Sequence, residues 1–395
     1  MEYIKHGSSD SKPGNEKETM LIPLALYVAI GIVLGFGVFF LFFQQPAVTS
    51  PSSNVTVPAG NNTAAIIPNV TITMIADSSC PECNSTILLA EQIKAYASQF
   101  GFKVSKVTSI DASDSQAEQL ISKYSITKLP AMIVSREANI SSDFVSGWAN
   151  IGSQESDGAF VYRSVYPPYV DLKKNRSVGF VELIDIKADC SKCYNLSSFS
   201  DYLAGENVAI VFTNRTSYEA DSSEAKALIS KYNITQLPCI LLSPDAAVYP
   251  IINYSWSTYG SVEPDGWHVY RAGYPPYVDL TKNNSIVGLI SLVELVDPTC
   301  TNCYNVSIHY DGLTQSFGMV IGNRTTLYTN STEGKSYLAK YNITKVPTII
   351  LSPDALLYPG LNDTWKDLGS IENDGWLVFR ELDTLGLNYT NVTAN

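Results

Sequence analysis

Charge is scarce in this sequence. Of 395 residues only 16% are Asp, Glu, Lys or Arg, against roughly a quarter in ordinary soluble domains. The 26 Lys and Arg are outnumbered by 38 Asp and Glu, for a formal net charge of −12. Without clustered cations there is no counterion release to drive association, so nucleic acid is excluded as a partner. Histidine is limited to 3 residues and cysteine to 7. The cysteine pairs lie 110 residues apart and the Cys303 to His309 spacing is not a zinc pattern, so no metal is expected. No cofactor is expected either. The length is that of two to four domains, each able to bury its own core.

What the chain does have is one long uncharged run. Residues 21–43, LIPLALYVAIGIVLGFGVFFLFF, are apolar for long enough to cross about 30 Å of hydrocarbon as a helix. The run is longer than a secretory signal core, and the QQPAVTS after it is a poor cleavage site, so it is expected to remain as an anchor in membrane lipid. Lys5, Lys12 and Lys17 precede it and the next basic residue is Lys94. The positive-inside rule then makes residues 1–20 a cytoplasmic tail and places the rest outside the cell, as a single-pass membrane protein. Gly31 and Gly35 offer a close-approach face for a homodimer. Residues 44–69, uncharged and rich in Pro, Ser, Thr and Asn, read as an extended stalk. Asn-x-Ser/Thr triplets recur from Asn54 to Asn391. Glycans on them, at Asn84, Asn195, Asn233, Asn305 and Asn342 among others, would supply the hydration that charge does not.

Beyond the stalk the sequence is one unit written three times. C-x-x-C pairs begin at Cys80 in SSCPEC, Cys190 in ADCSKC and Cys300 in PTCTNC. KYSITKLPAMIVS from Lys123, KYNITQLPCILLSPD from Lys231 and KYNITKVPTIILSPD from Lys340 follow them. A third block comes next: GSQESDGAFVYR from Gly152, GSVEPDGWHVYR from Gly260 and GSIENDGWLVFR from Gly369. Their Asp-Gly pairs read as hairpin turns rather than Ca²⁺ loops. The block order never changes, so three domains are expected over 70–175, 176–283 and 284–395. The first two end after the YPPYVDL segments from Tyr166 and Tyr274.

Within a unit, VTITMIA from Val70, VGFVELI from Val178 and LISLVELV from Leu289 suit buried strands. Each ends just before its C-x-x-C, so the cysteines sit where a strand gives way to a helix. A later helix is opened by the spacings Ser115 to Glu118, Asp221 to Glu224 and Asn330 to Glu333. The fold class is α/β: a central mixed sheet flanked by helices, three times over, after one transmembrane helix.

A strand, C-x-x-C, a strand, a helix, then a hydrophobic residue and Pro before another strand: this order resembles the thioredoxin-like superfamily. Y-S-I-T-K-L-P-A-M, Y-N-I-T-Q-L-P-C-I and Y-N-I-T-K-V-P-T-I are similar to that family's Tyr-x-Ile-x-x-Ile-Pro-Thr stretch. The resemblance covers most of residues 70 to 390. It implies that Pro130, Pro238 and Pro347 are cis and lie against the C-x-x-C pairs, with the backbone before them free to bind a substrate strand. A cysteine at a helix N-terminus has its thiolate stabilised by unpaired N–H groups. Cys80, Cys190 and Cys300 are accordingly the expected nucleophiles, and Cys83, Cys193 and Cys303 the resolving thiols. Lys192, between the second pair, should favour a thiolate and make that site the most oxidising.

Two functions remain open. One is a thiol-disulfide oxidoreductase acting on exported or surface proteins; since the tail before the span carries no cysteine, it would need a separate membrane redox partner. The other is a glycosylated binding or structural array in which the C-x-x-C pairs are permanent staples. No Trp precedes the cysteines, and the triplets at Asn84, Asn195 and Asn305 place glycans beside the resolving thiols. Cys239, the odd cysteine, follows Pro238 in an apolar strand and is expected to be a buried, inert thiol.

Overall fold

The computed structural model describes residues 67–392 apart from Asn207. The expected cytoplasmic tail, the expected span at 21–43 with Gly31 and Gly35, and the expected stalk up to residue 66 lie outside the described residues. Among the described residues no helix is long and apolar enough to cross a membrane.

Each repeat folds into a five-stranded sheet. In the first, the spatial order is Lys103–Asp111, Asn69–Ala76, Ala131–Val134, Phe160–Tyr162 and Gly152–Gln154. The first pair runs parallel and the others antiparallel. The same order recurs with Phe180–Lys187 and then with Ile290–Val296 in the place of Asn69–Ala76. These strands are β-branched and apolar because helices cover both faces of the sheet. Val70 and Ile72 face the helix Ser85–Tyr96 through Leu89, Ala90 and Ile93, while Ile75 faces the other side with Ala117 and Tyr124.

The second helix of each unit, Ser115–Lys123, Ser223–Lys231 and Thr332–Lys340, starts close to where capping patterns place it, but the caps differ. Ser222 accepts from Ala225 N and Ser331 from Gly334 N, so these serines, not Asp221 and Asn330, satisfy the free donors of the first turn. In the first unit Asp114 rather than Ser115 holds the cap position.

The repeated Lys-Tyr, E-x-D-G and Arg form one polar clasp. Tyr124, Tyr232 and Tyr341 donate to Asp157, Asp265 and Asp374, each at 3.0 Å. Arg163, Arg271 and Arg380 donate to Glu155, Glu263 and Glu372 and to the carbonyls of those same tyrosines. The Asp-Gly turn thus ties the hairpin to the end of the second helix.

After its last sheet strand each unit continues into a short strap. Tyr169–Asp171 pairs antiparallel with Lys128–Leu129, Tyr277–Asp279 with Gln236–Leu237, and Thr390–Asn391 with Lys345–Val346. The first two straps are also paired on their far side, with Arg176–Val178 and Ser285–Val287.

Three residues before each of these two straps a tyrosine plugs the following unit. Tyr166 donates to Val208 O at 2.6 Å and its ring meets Tyr249 edge-on at 5.9 Å. Tyr274 does the same with Phe317 O and Tyr358. The turn into the next unit needs glycine: at Gly288, with φ +88°, an added Cβ would lie 2.3 Å from Pro275 Cβ.

Candidate functional site

Cys80 is bonded to Cys83, Cys190 to Cys193 and Cys300 to Cys303. The peptides preceding Pro130, Pro238 and Pro347 are cis, as are those between Pro167 and Pro168 and between Pro275 and Pro276. In the first unit Cys80 and Cys83 share a cluster with Leu129 and Ala131, the neighbours of Pro130. In the second, Cys190 and Cys193 pack with Leu237 and Cys239 around Pro238. In the third, Tyr304, the residue after Cys303, donates from Oη to Pro347 O at 2.8 Å. The fold therefore brings each cysteine pair close to its proline from sequence positions 44 to 50 residues apart.

The cysteines are not at the helix N-termini, however. The following helices begin at Ser85, Ser197 and Ser307, and the pairs themselves occupy turns before them. Just before the later two starts, the Oδ1 atoms of Asn195 and Asn305 accept from Ser197 N at 2.8 Å and Ser307 N at 3.0 Å. Since the macrodipole acts within about the first turn, its help to the leading thiolates is reduced.

The backbone before the prolines is not free either. Leu129 pairs with Val170, Leu237 with Val278 and Val346 with Thr390. The strap supplies the partner that the sequence reading reserved for a substrate. Lys192 Nζ also has partners, the carbonyls of Ile321 and Gly322 in the third unit at 3.4 Å.

The three disulfides differ in access. Cys80 and Cys83 are 3% and 4% exposed, whereas the four cysteines of the other pairs are half-buried. Phe180, from the second unit, packs against the cluster that holds the first pair. Limiting dithiothreitol followed by alkylation and mass mapping should therefore label Cys190, Cys193, Cys300 and Cys303 before Cys80 and Cys83. Equal labelling would contradict this order.

Beneath the helix that follows each pair, the central strand carries a different residue at one equivalent place. Met74 pairs with Met132, Asp185 with Ile240 and Glu294 with Ile349, in each case two residues beyond the proline. Burial raises the Asp185 carboxyl above its ordinary range, and Ser217 Oγ donates to it at 3.3 Å. Glu294, 2% exposed, accepts twice at Oε1 from Arg324, at 3.0 and 2.6 Å, and at Oε2 from Thr326 at 2.8 Å. Sequence reasoning missed this position because the spacing to the leading cysteine is one residue shorter in the second unit; strand pairing reveals it.

Cys239 is fully buried, donates to Tyr270 O at 3.2 Å, and has its thiol pKa pushed up to about 12 by burial. Among the described residues no group of three or more His, Cys, Asp and Glu is placed to hold a metal ion. Every Asn-x-Ser/Thr asparagine among the described residues is exposed, including Asn84, Asn195, Asn233, Asn305 and Asn342.

Three thioredoxin-like units, each with a C-x-x-C disulfide and a cis-proline turn, define a tandem array of disulfide-bearing modules. No protein-family profile and no curated protein matches the chain. Among solved structures it is similar to crystal form II of ERdj5, at 16% identity over 75% of this chain and 40% of that one, with a TM-score of 0.15. It is also similar to form II of human ERp44, at 14% identity over 79% and 90% of the two chains, with a TM-score of 0.14. A third similarity is to the zinc-bound form of human ERp44, at 13% identity over 74% and 80%, with a TM-score of 0.15. The chain spans less than half the length of the ERdj5 chain. The thioredoxin-like assignment rests on strand order and on the placement of cysteines and prolines.

Proposed function

We propose that this protein is a thiol-disulfide oxidoreductase held at the outer face of a membrane, acting on thiols and disulfides of exported or surface molecules. The carrying observation is the packing of the first two C-x-x-C disulfides beside their proline turns, with Tyr304, next to Cys303, bonded to Pro347 O in the third unit, and with the second and third disulfides half-buried rather than sealed. Such a pair can pass two electrons: one thiolate attacks a foreign disulfide, and its partner resolves the mixed disulfide. The uncharged run at 21–43 supports the anchor, and the exposed Asn-x-Ser/Thr sites support glycosylation outside the cell. A separate membrane protein would supply or remove electrons, and Gly31 with Gly35 would pair two anchors.

The sealing of the first disulfide favours a second reading for that unit alone, as a structural staple. The joint test is a trap. With Cys83→Ser, Cys193→Ser and Cys303→Ser in the full chain, reducible covalent adducts at a leading cysteine are expected on the cell surface. An empty trap at all three would leave the inert array as the better account.

A further inference from the structure

Both neighbours of Cys193 are tied into the junction between the second and third units. Lys192 Nζ donates to the carbonyls of Ile321 and Gly322, each at 3.4 Å. Tyr194 has its ring 5.6 Å from that of Tyr274, and its N–H donates to Pro276 O at 2.8 Å. Tyr274 is the residue that plugs the third unit, bonded to Phe317 O and edge-on to Tyr358. Tyr358 Oη in turn accepts from Val320 N at 3.0 Å and donates to Gly288 O at 2.8 Å. Val320 precedes Ile321, so the contacts close a ring that leaves the cysteine turn at Lys192 and returns to it at Tyr194. The acceptor carbonyls are fixed parts of the third unit. Ile321 opens its edge strand Ile321–Tyr328, and Gly322 lies so near Leu289 that an added Cβ would come within 2.4 Å of Leu289 Cγ.

We propose that Lys192 and Tyr194 are positioning residues through which the third unit sets the redox equilibrium of the second pair: docking favours the disulfide, and reducing the disulfide loosens the junction. This deepens the exchange reading above and rests on it.

Reduction proceeds by thiol exchange. A glutathione thiolate attacks one sulfur of Cys190–Cys193, forming a mixed disulfide and releasing the other sulfur as a thiolate. A second glutathione then displaces the first, leaving the dithiol and one glutathione disulfide, so two electrons pass to the pair. A nearby cation stabilises each thiolate, and Lys192 is one residue from Cys193 and two from Cys190. While its ammonium serves the Ile321 and Gly322 carbonyls, it is withheld from those sulfurs. Lys192 is exposed, so its stem is free to turn from one set of partners to the other. The turn is constrained as well: Cys193 N donates to Cys190 O at 3.2 Å, and two sulfurs no longer bonded must move apart against the hold on residues 192 and 194. Thiolate and carbonyls thus compete for one cation. By linkage, the factor that docking takes from reduction is the factor that reduction takes from docking. The ammonium that should make this site the most oxidising does so only when the junction is open.

The full chain is equilibrated in glutathione buffers of graded ratio and quenched with an alkylating agent, and the reduced fraction of each pair is read by mass mapping. Tyr274→Ala, which removes the plug, should raise the reduction equilibrium constant of Cys190–Cys193 about fivefold, the worth of roughly one hydrogen bond. Cys80–Cys83, at the other junction, should not shift. Tyr274→Phe, which keeps the ring and loses only the bond to Phe317 O, should act in the same direction by less. Lys192→Met should lower the constant about threefold in the Tyr274→Ala chain, where the ammonium is free to meet a thiolate, and should not lower it in the docked chain. An unchanged second pair in both Tyr274 variants overturns the proposal, as does a Lys192→Met effect that is the same in the two backgrounds. An equal shift at Cys80–Cys83 counts against it as a general loosening. Failure of every pair to exchange with glutathione would instead remove the exchange reading. The reverse direction is read in a chain carrying Cys300→Ser and Cys303→Ser. There the Val320 amide should exchange faster with the second pair reduced than oxidised, and equal protection rules the coupling out.

Discussion

Replacing Arg324 by alanine is expected to destabilise the third unit by about 3 kcal/mol, the cost of leaving one partner of a buried ion pair alone. The figure is at the low end of that range because the Arg324 side chain is 36% exposed and water can partly take its place, whereas the Glu294 side chain is 3% exposed. Among the described residues Thr326 would be the one remaining donor to the carboxylate. Replacing Glu294 by methionine should cost less than about 1 kcal/mol, since the charge and its desolvation leave together. The first unit carries Met74 in the same register, so the site accommodates that side chain. Amide exchange of the central strand Ile290–Val296 would measure both variants. An Arg324→Ala change as mild as Glu294→Met would show that the pair is not what holds this face together.

Acid should act on the second and third units and spare the first by this mechanism. Burial lowers the His309 pKa from 6.5 to about 4, against a smaller opposing effect of Glu294. The ring accepts no easy proton there, set against Phe379 at 4.6 Å and with Nε2 2.9 Å from Tyr304 Oη. The unfolded chain takes up the proton first, so the stability from a neutral His309 is present above about pH 6.5 and is lost as pH falls toward 4. The linked loss is about 3 kcal/mol. His268 in the second unit is 2% exposed, has Nδ1 without a hydrogen-bond partner and is shifted down by the same cause. The first unit has no histidine. Comparing exchange protection of Ile290–Val296 and Asn69–Ala76 at pH 7 and pH 4.5 tests this. The third unit should lose protection, and His309→Gln should restore most of it. Parallel losses in all units would point to another titration.

The repeat, the strand before each cysteine pair and the Asp-Gly hairpins were legible in the sequence because they rest on local patterns: β-branched runs, turn residues and blocks that recur in order. The packing of Pro130 and Pro238 beside the cysteines came from resemblance, since no periodicity links residues so far apart. Three features escaped. The straps are two or three residues long, and YVD before a domain boundary reads as linker; its partner is set by the register of a strand about forty residues upstream. Just before the helices at Ser197 and Ser307, Asn195 and Asn305 accept from the Ser197 and Ser307 backbone N–H, a local bond that sequence alone, where these asparagines read as glycan sites, does not announce. Asp185 and Glu294 occupy one place, yet their spacing to the cysteine differs, so alignment by the motif hides what alignment by hydrogen-bonded neighbours reveals.

Tyr166 and Tyr274 bear on how the array can be divided. A cut after residue 175 keeps Tyr166 with the first unit and leaves the second with an open notch against Tyr249 and an unanswered carbonyl at Val208. A cut after residue 283 does the same to Tyr358 and Phe317. An excised unit should therefore begin upstream of its predecessor's tyrosine, even though that residue is written in the preceding repeat. Stability in this array belongs in part to adjacent pairs, as in linear repeat proteins, and a unit measured alone reports its own folding without its neighbour's contribution.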